Sequence, residues 1–436
     1  MLICLLFQAE RGIADSLFIG TLTRILARAP RPAAPSPIRR LYILIPVFKE
    51  QAIIIDTLAR FAELAHPSCA PTILAITTIR ETSEGGCPTT EEVIEQALAH
   101  DALKEHAARV RIVREEEAHG NMATQLNAAL ARIRADEPAH TPYAVFNADS
   151  IPSPYLLHEL VAELDRDPTA FQLPCAYVRD MSEYASNFQN ALALYQTWYC
   201  LGHESRLIRD YARAHRTKRE RLGVITGHGS GMSLSMWRDA NGYPTDLMTE
   251  DLTLGFLLSA KRAPIQPVVS LELADVPRSW PIFTRQRSVW FWNYLGYISC
   301  YRRVRREGVS RATASRLFLQ GMGAGAYWFF LSLFFLVPFV VSARYASPLV
   351  LAVAVLGLVA FGIAPVFFLF KRLPPVLRSQ GFAAEAERVG RVSFLTLVPS
   401  LALIFFTDSL GPWIATLRYV RYLCTGSMPT KGKTED

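Results

Sequence analysis

Two apolar stretches near the C-terminal end restrict what this chain can become more than any other feature. Residues 317–341 (LFLQGMGAGAYWFFLSLFFLVPFVV) and 346–370 (ASPLVLAVAVLGLVAFGIAPVFFLF) each exceed the roughly 20 residues a helix needs to cross a bilayer. A third stretch, 393–415, is interrupted by Pro399, Asp408, Gly411 and Pro412. An ionisable residue at membrane depth has to be sheltered, so this stretch either spans or turns back within the interface. Residues 317–423 are therefore expected to hold two or three spans, followed by a polar tail, 424–436. Composition agrees: 50% of the 436 residues are hydrophobic and 19% charged, below the roughly 25% charge usual for a soluble domain.

Charge sets the expected orientation. Arg302, Arg303, Arg305, Arg306, Arg311 and Arg316 precede the first span, and Lys371, Arg372, Arg378, Arg388 and Arg391 follow the second. Basic flanks stay on the cytoplasmic side, which puts the first 310 residues in the cytoplasm and makes 301–316 an interfacial segment. A third full crossing would carry Arg418, Arg421, Lys431 and Lys433 to the opposite side, against the same rule. At the N-terminus, the apolar run Met1–Phe7 is too short to span and lacks the basic start of a secretory signal. Ile13, Leu17, Leu22, Ile25 and Leu26 fall near helical spacing, as in a helix lying on membrane or protein, and a Pro-rich linker at 29–37 leads into the first domain. The seven cysteines include no Cys-x-x-Cys pair, so neither a zinc site nor a disulfide framework is expected. No nucleic-acid-binding motif accompanies the net charge of +7, and nucleic acid is not an expected partner.

Between 41 and 300, short apolar runs alternate with helical periodicity. Residues 41–46, 73–77, 110–113 and 143–146 read as strands, and 50–64, 90–107 and 123–135 as helices. That alternation predicts a parallel α/β sheet whose ligands bind beyond the carboxyl ends of its strands. The fourth strand runs into Asn147-Ala148-Asp149-Ser150. A carboxylate there either holds a divalent cation against a diphosphate or forms an ordinary strand-end turn. Thr249-Glu250-Asp251-Leu252 follows the turn Gly242-Tyr243-Pro244 and opens a helical run; by itself it reads equally as a helix N-cap with an acidic first turn. Gly227, Gly229 and Gly231 lie between strand-like runs rather than before a helix, so they form no phosphate loop.

In order, Pro46-Val47-Phe48-Lys49-Glu50, Gly120 with Gln125-Leu126-Asn127, Asn147-Ala148-Asp149-Ser150, Gly227-His228-Gly229 and Thr249-Glu250-Asp251 resemble the motifs of family-2 glycosyltransferases. With the trailing spans, the chain is most similar to the membrane-bound branch that includes cellulose, chitin and hyaluronan synthases. The resemblance implies a GT-A (Rossmann-like) α/β domain over 41–300, a nucleotide-sugar donor and an inverting mechanism. It implies that Pro46, Glu50, Asn127, Asn147 and Asp149 border the donor, with Asp149 holding Mg²⁺ or Mn²⁺ on the diphosphate. It implies Asp251, beside Glu250, as the base that deprotonates the acceptor hydroxyl. Gly227, His228 and Gly229 would let backbone approach the acceptor. Arg285-Gln286-Arg287-Ser288-Val289-Trp290 resembles the family's Gln-x-x-Arg-Trp motif, which would bring Gln286, Arg287 and Trp290 to the acceptor and diphosphate, although Val289 stands where Arg is usual.

Other departures are Thr77-Thr78-Ile79-Arg80-Glu81 where many relatives carry paired Asp residues, Met122 for a Lys, and Asn147 for the first Asp of Asp-x-Asp. They leave an alternative in which the domain is a weak or inactive sugar-binding scaffold in a polysaccharide-export complex. The leading expectation is a transferase anchored in a bacterial inner membrane. Its expected partners are the donor, a glycan or polyprenyl-linked acceptor, membrane lipids and other polysaccharide-assembly proteins. The aromatic cluster Trp290, Phe291, Trp292, Tyr294 and Tyr297 would stack on sugars or anchor at the interface. The basic run Arg206, Arg209, Arg213, Arg216, Lys218, Arg219 and Arg221 is either a solvated face or a dock for anionic headgroups or an acceptor phosphate.

Overall fold

The computed structural model describes residues 2–28, 36–83, 86–100, 103–165, 170–184, 186–245 and 249–425. Most of the Pro-rich linker (29–35) and of the polar tail (426–436) lies outside them. Helix α1 (Leu2–Leu26) comes first, and strands then alternate with helices: β1 (Tyr42–Pro46), α2 (Ile54–Glu63), β2 (Thr72–Thr78), α3 (Thr90–His100), β3 (Val110–Glu115), α4 (Met122–Asp136) and β4 (Pro142–Val145). These four strands pair in parallel in the order β3-β2-β1-β4. Ile43, Leu44 and Ile45 are fully buried, because a parallel sheet with helices on both faces buries successive side chains alike. Helix α4 starts where the sequence offers a capping box: the Asn121 side chain accepts from the Thr124 amide, and the Thr124 hydroxyl accepts from the Asn121 amide.

The parallel order stops after β4. β5 (Ile151–Pro152), α5 (Leu156–Leu164), β6 (Ala170–Gln172), β7 (Cys175–Ala176), α6 (Asn187–Trp198) and α7 (Ser205–Arg216) precede β8 (Ser230–Ser233), which enters antiparallel between β4 and β6. After α8 (Leu234–Asp239) and α9 (Glu250–Ala260), β9 (Ile265–Pro267) completes a seven-stranded sheet, β3-β2-β1-β4-β8-β6-β9. β10 (Glu272–Leu273) pairs with β5 and β7 in a second, small sheet. The sheet is thus mixed rather than parallel. β8 (SGMS) carries no apolar run to announce it; Gly231 admits it, since a Cβ there would collide with the Tyr143 carbonyl across the ladder.

The remaining chain is helical: α10 (Trp280–Arg306), α11 (Arg311–Tyr345), α12 (Pro348–Gly357) running through a π-turn into α13 (Ala364–Ser379), α14 (Ala383–Arg391), α15 (Phe394–Thr407) and α16 (Leu410–Thr425). Three stretches, Arg311–Tyr345, Pro348–Ser379 and Phe394–Thr425, are long and apolar enough to cross a membrane. The interrupted third stretch therefore counts with the other two. Its break at Asp408 and Ser409 is satisfied by α11: Ser409 and Ser332 exchange amide-to-hydroxyl hydrogen bonds at 2.9 Å, and Trp328 Nε1 donates to Asp408 Oδ2 at 2.6 Å.

The shelter for Asp408 is Arg287, whose Nε lies 3.0 Å from Asp408 Oδ1, with side-chain exposures of 0% and 2%. Tyr195, Tyr199, Phe283, Trp290 and Trp328 surround the guanidinium, their ring centres 4.9 to 5.5 Å away. Helix α10 is seated on α11 as well, with Tyr297 and Tyr294 filling the space left by Gly321 and Gly325, a small-xxx-small approach. Phe291 meets Trp328 at 5.7 Å and Trp292 meets Tyr419 at 5.5 Å. The aromatic cluster expected to stack on sugars or to anchor at the interface is largely consumed in fastening helices together. At the N-terminus, the short apolar run and the helix after it are one helix, α1, packed on α13 and α11. Its buried Asp15 meets Arg206 at 2.9 Å, so the basic run is partly neutralised from within the protein.

Removing one partner of a buried pair leaves an unpaired charge, at a cost of about 3–5 kcal/mol, whereas replacing both with apolar groups is often neutral. Asp408→Leu alone should lower the thermal midpoint of detergent-purified protein substantially, and Arg287→Met with Asp408→Leu should recover most of the loss. Equal losses for the single and double variants would show that the pair itself is not what stabilises the packing.

Candidate active site

At the carboxyl end of β1, Pro46 closes the strand and Val47 bonds to the Ile76 carbonyl at 3.0 Å. The next loop holds Lys49 in a left-handed conformation (φ 58), uncommon for a residue with a side chain and concentrated at functional sites. Glu81 holds it there. Its carboxylate accepts from the Lys49 amide (2.9 Å), the Gln51 side chain (2.8 Å) and the Thr90 amide (2.7 Å) and hydroxyl (2.8 Å). Glu50 is anchored to the same helix start, its amide donating to Thr90 Oγ1 at 2.9 Å. Beneath the loop, Gln125 donates to the Val47 and Ile76 carbonyls at 3.0 and 2.9 Å. A cavity of about 410 Å³ opens here, lined among others by Lys49, Glu50, Gln51, Pro88, Asp275 and Arg278, a size suited to part of a small ligand.

Asp275 joins this cavity to the acidic centre, its amide donating to Asp149 Oδ2 at 3.1 Å. Desolvation raises the pKa of Asp149, opposed by that amide and by His228. Behind it lies Glu272, fully buried on β10, which takes a short hydrogen bond from Ser150 Oγ and faces His228 Nδ1 across 3.2 Å. Burial alone would lower the His228 pKa, but Glu272, with Asp149 and Glu204 beyond, raises it to about 9. Gly229 (φ 59) makes this pairing possible, because any Cβ there would strike the Glu272 carboxylate. Asn147 is half-buried at the head of the same turn, its amide donating to Ser150 Oγ at 3.0 Å.

Asp251 stands against the first glycine of the same loop. Its Oδ2 would lie 3.3 Å from a Cβ on Gly227, and its Oδ1 accepts from the Leu252 amide at 2.7 Å. Glu250, at the first position of α9, is buried. The 227–229 loop therefore has one carboxylate, Asp251, against its first glycine and another, Asp149, within electrostatic reach of its histidine.

Four of the expected contact residues have partners within the protein itself. Asn127 accepts from Trp237 Nε1 (3.1 Å) and the Tyr243 amide (2.8 Å) and donates to the Tyr243 carbonyl (2.8 Å), so it holds the turn ahead of α9. Arg287 is fully buried with Asp408 at 3.0 Å, and its guanidinium nitrogens make no hydrogen bond among the described residues. Gln286 accepts from Gln196 at 2.7 Å, and Trp290 is half-buried beside Arg287. Sequence reasoning passed over Glu272, Asp275 and Glu81. The one available signal was a charge alternating with apolar residues in Leu271-Glu272-Leu273-Ala274-Asp275: a carboxylate in a buried strand has to be paired.

Among the described residues no group of three or more His, Cys, Asp and Glu is placed to hold a metal ion. The donor set still suits a hard cation, because Mg²⁺ and Mn²⁺ commonly take one or two carboxylates and complete their shells with substrate phosphates and water. Asp149, bonded to the amide of the cavity-lining Asp275 and with burial raising its pKa, is a carboxylate such a cation would relieve.

The model of the glycosyltransferase like family 2 matches residues 37–293. Among solved structures, the chain is similar to the mannosyltransferase PcManGT from Pyrobaculum calidifontis in complex with GDP-Man and Mn2+, at 17% identity over 93% of this chain and 99% of that one, with a TM-score of 0.43. It is also similar to S. aureus TarS 1–349, at 10% identity over 90% and 93%, with a TM-score of 0.41. No curated protein matches the chain.

The raised pKa of His228 makes stability pH-dependent. The folded protein keeps a proton that the unfolded chain releases near pH 6.5, so the contribution is complete below about 6.5 and is lost as pH rises through about 9. The difference in thermal stability between the wild type and His228→Asn should narrow across this window, by about 1.4 kcal/mol per pH unit at most. A difference constant from pH 6 to 10 would show that His228 is not charged in the fold.

Proposed function

The chain belongs to the glycosyltransferase like family 2, and we propose that it is a membrane-anchored inverting transferase that moves a sugar from a nucleotide-sugar donor to a glycan or lipid-linked acceptor. Within the family, the helices long enough to cross a membrane that follow the catalytic domain favour the branch that includes cellulose, chitin and hyaluronan synthases. The observation that carries the reading is that two separate carboxylates approach the 227–229 loop, Asp251 at Gly227 and Asp149 near His228. Inversion needs the acceptor oxygen to approach the anomeric carbon from the face opposite the leaving diphosphate, so the base and the diphosphate-binding carboxylate have to be separate groups.

In this reading the donor's nucleotide occupies the cavity behind the Lys49–Gln51 loop, with Pro46 and Glu50 at its border and the diphosphate toward Asp149, Asn147 and the exposed Arg278. Asp149 would hold Mg²⁺ or Mn²⁺, which when bound neutralises charge on the diphosphate. Asp251 takes the proton of the acceptor hydroxyl as its oxygen bonds to the anomeric carbon. The bond from that carbon to the diphosphate breaks, and the nucleoside diphosphate leaves with the electron pair. Protonated His228, held by Glu272, adds a fixed positive charge near the developing negative one. Glu250, at the helix start, and Asn127, through the turn before it, keep Asp251 in position; Gln286, Arg287 and Trp290 support the wall behind the acceptor.

The basic flanks of the spans favour a cytoplasmic catalytic domain in a bacterial inner membrane, working beside other polysaccharide-assembly proteins. Asp251→Asn should reduce nucleoside diphosphate release by about 10²–10⁴-fold, the usual contribution of a general base, with thermal midpoint and donor binding retained. Asp149→Asn should weaken donor binding in the presence of Mn²⁺ more than in its absence. Unchanged release by Asp251→Asn, in an assay that screens nucleotide sugars with and without Mn²⁺, would sink the assignment of the base.

A further inference from the structure

We propose that Gln380, which caps the end of α13, is a positioning residue for the donor side of the reaction, holding in register the two short backbone segments that carry Asp149 and Asp275. The inference rests on Asp149 as the carboxylate that holds the donor's cation, and adds what keeps that carboxylate in place.

The acidic centre sits on a ladder too short to hold itself. β5 and β10 are two residues each and pair antiparallel, Ile151 with Leu273 and Pro152 with Glu272. The same register continues past both ends. On one side the Ser153 amide donates to the Leu271 carbonyl at 3.1 Å, and on the other the Asp275 amide donates to Asp149 Oδ2 at 3.1 Å. β7 supports only β10, through Cys175 and Ala176, and leaves β5 at the edge of the small sheet. Strand pairs of this length are marginal without outside support, and a slip of one residue would turn each side chain to the other face. The ladder therefore has to be fixed by groups outside it.

Gln380 meets it at the end formed by Leu271 and Ser153. Its Oε1 accepts from the Leu271 amide at 3.0 Å and its backbone carbonyl accepts from Ser153 Oγ at 2.8 Å, so one residue holds both strands. Nε2 donates to the Leu26 carbonyl, at the end of α1, at 3.0 Å. Gln380 is 3% exposed, and these bonds replace the water it has lost. Gly381 (φ 87) follows, and a Cβ there would strike Pro154, so the connector between α13 and α14 lies directly on the turn after β5. The same connector leads to the helix that holds the other end. Arg388 of α14 donates to the Arg179 carbonyl at 3.0 Å and to Glu183 at 2.8 Å, and Arg179 Nη1 lies 3.4 Å from Asp275 Oδ1. From Leu271 to Asp275 is about 13 Å along a strand. Both ends of that length are tied to the segment that follows a helix long enough to cross a membrane, so the place of Asp149 depends on the packing of α1 and α13 as well as on the sheet.

The test uses full-length protein in detergent and reads the binding of UDP and GDP across a Mn²⁺ titration, beside the thermal midpoint. Gln380→Met keeps the length of the side chain and removes both of its hydrogen bonds. It should raise the Mn²⁺ needed for half-maximal nucleotide binding by about tenfold and leave binding without Mn²⁺ unchanged. Gln380→Glu keeps an oxygen for the Leu271 amide and loses the donor to Leu26. It should lower the thermal midpoint yet retain the wild-type Mn²⁺ dependence, a rescue that a purely structural role does not produce. Ser153→Ala and Arg388→Gln act on the two ends of the ladder without altering Gln380. Each should shift the Mn²⁺ dependence in the same direction by about three- to tenfold, so the proposal can fail even where Gln380→Met does not fold. Wild-type Mn²⁺ dependence in Gln380→Met, or in both Ser153→Ala and Arg388→Gln, would overturn it, as would equal shifts for Gln380→Met and Gln380→Glu. Asp149→Asn separates the two readings. If it abolishes the Mn²⁺ dependence while the Gln380 and Ser153 variants keep it, the positioning role fails and the donor reading stands. Nucleotide binding that neither Mn²⁺ nor Asp149→Asn changes would remove the donor reading and the proposal with it.

Discussion

The centre of this molecule depends on one buried carboxylate. Glu272 has no solvent exposure, and a charge in that position is tolerable only where partners replace its water. Those partners come from distant parts of the chain: Ser150 from the turn after β4, and His228 from the loop before β8, with Gly229 leaving the space. Satisfying Glu272 therefore draws together the turn that carries Asp149 and the loop that Asp251 abuts. The distances within the candidate site are consequences of that requirement as much as of the sheet.

A second buried charge does the same for the membrane side. Arg287 and Asp408 sit 121 positions apart, yet each would be costly without the other. Their pairing, within a ring of aromatic groups, draws α10 against the third candidate span, while Tyr294 and Tyr297 fit the glycine positions of α11. Since α10 also packs on α9, the helix that begins with Glu250 and Asp251, the proposed base is mechanically continuous with the helices that would lie in the bilayer.

Much of the sheet was legible because β1 to β4 are short apolar runs separated by helices of clear periodicity, a local pattern. β8 was not, for Ser230–Ser233 has neither alternation nor bulk and is a strand only because two neighbours flank it. The site divides in the same way. Asp149 and Asp251, the proposed metal-holding and base carboxylates, come from local motifs, whereas Glu272 and Glu81 act through partners brought in by the fold. Asn127 and Arg287 are motif residues that also have partners within the protein, in hydrogen bonds for one and an ion pair for the other. A motif records that a residue type is needed at a position, and the same residue type answers to a ligand or to a neighbouring turn.

By itself the sequence determined what depends on neighbours along the chain: the strand and helix alternation, two of the three stretches long enough to cross a bilayer, and the carboxylates at strand and helix ends. The reason is that hydrogen bonding, propensity and bilayer thickness act over lengths of a few to about 20 residues. Only the tertiary structure decided how the break around Asp408 is satisfied, that the aromatic residues of α10 fasten helices together, and that Asp149 and Asp251 approach a single loop. Each of these turns on how a buried charge or a missing side chain is matched by residues far away in sequence, and that matching exists only once the chain is packed.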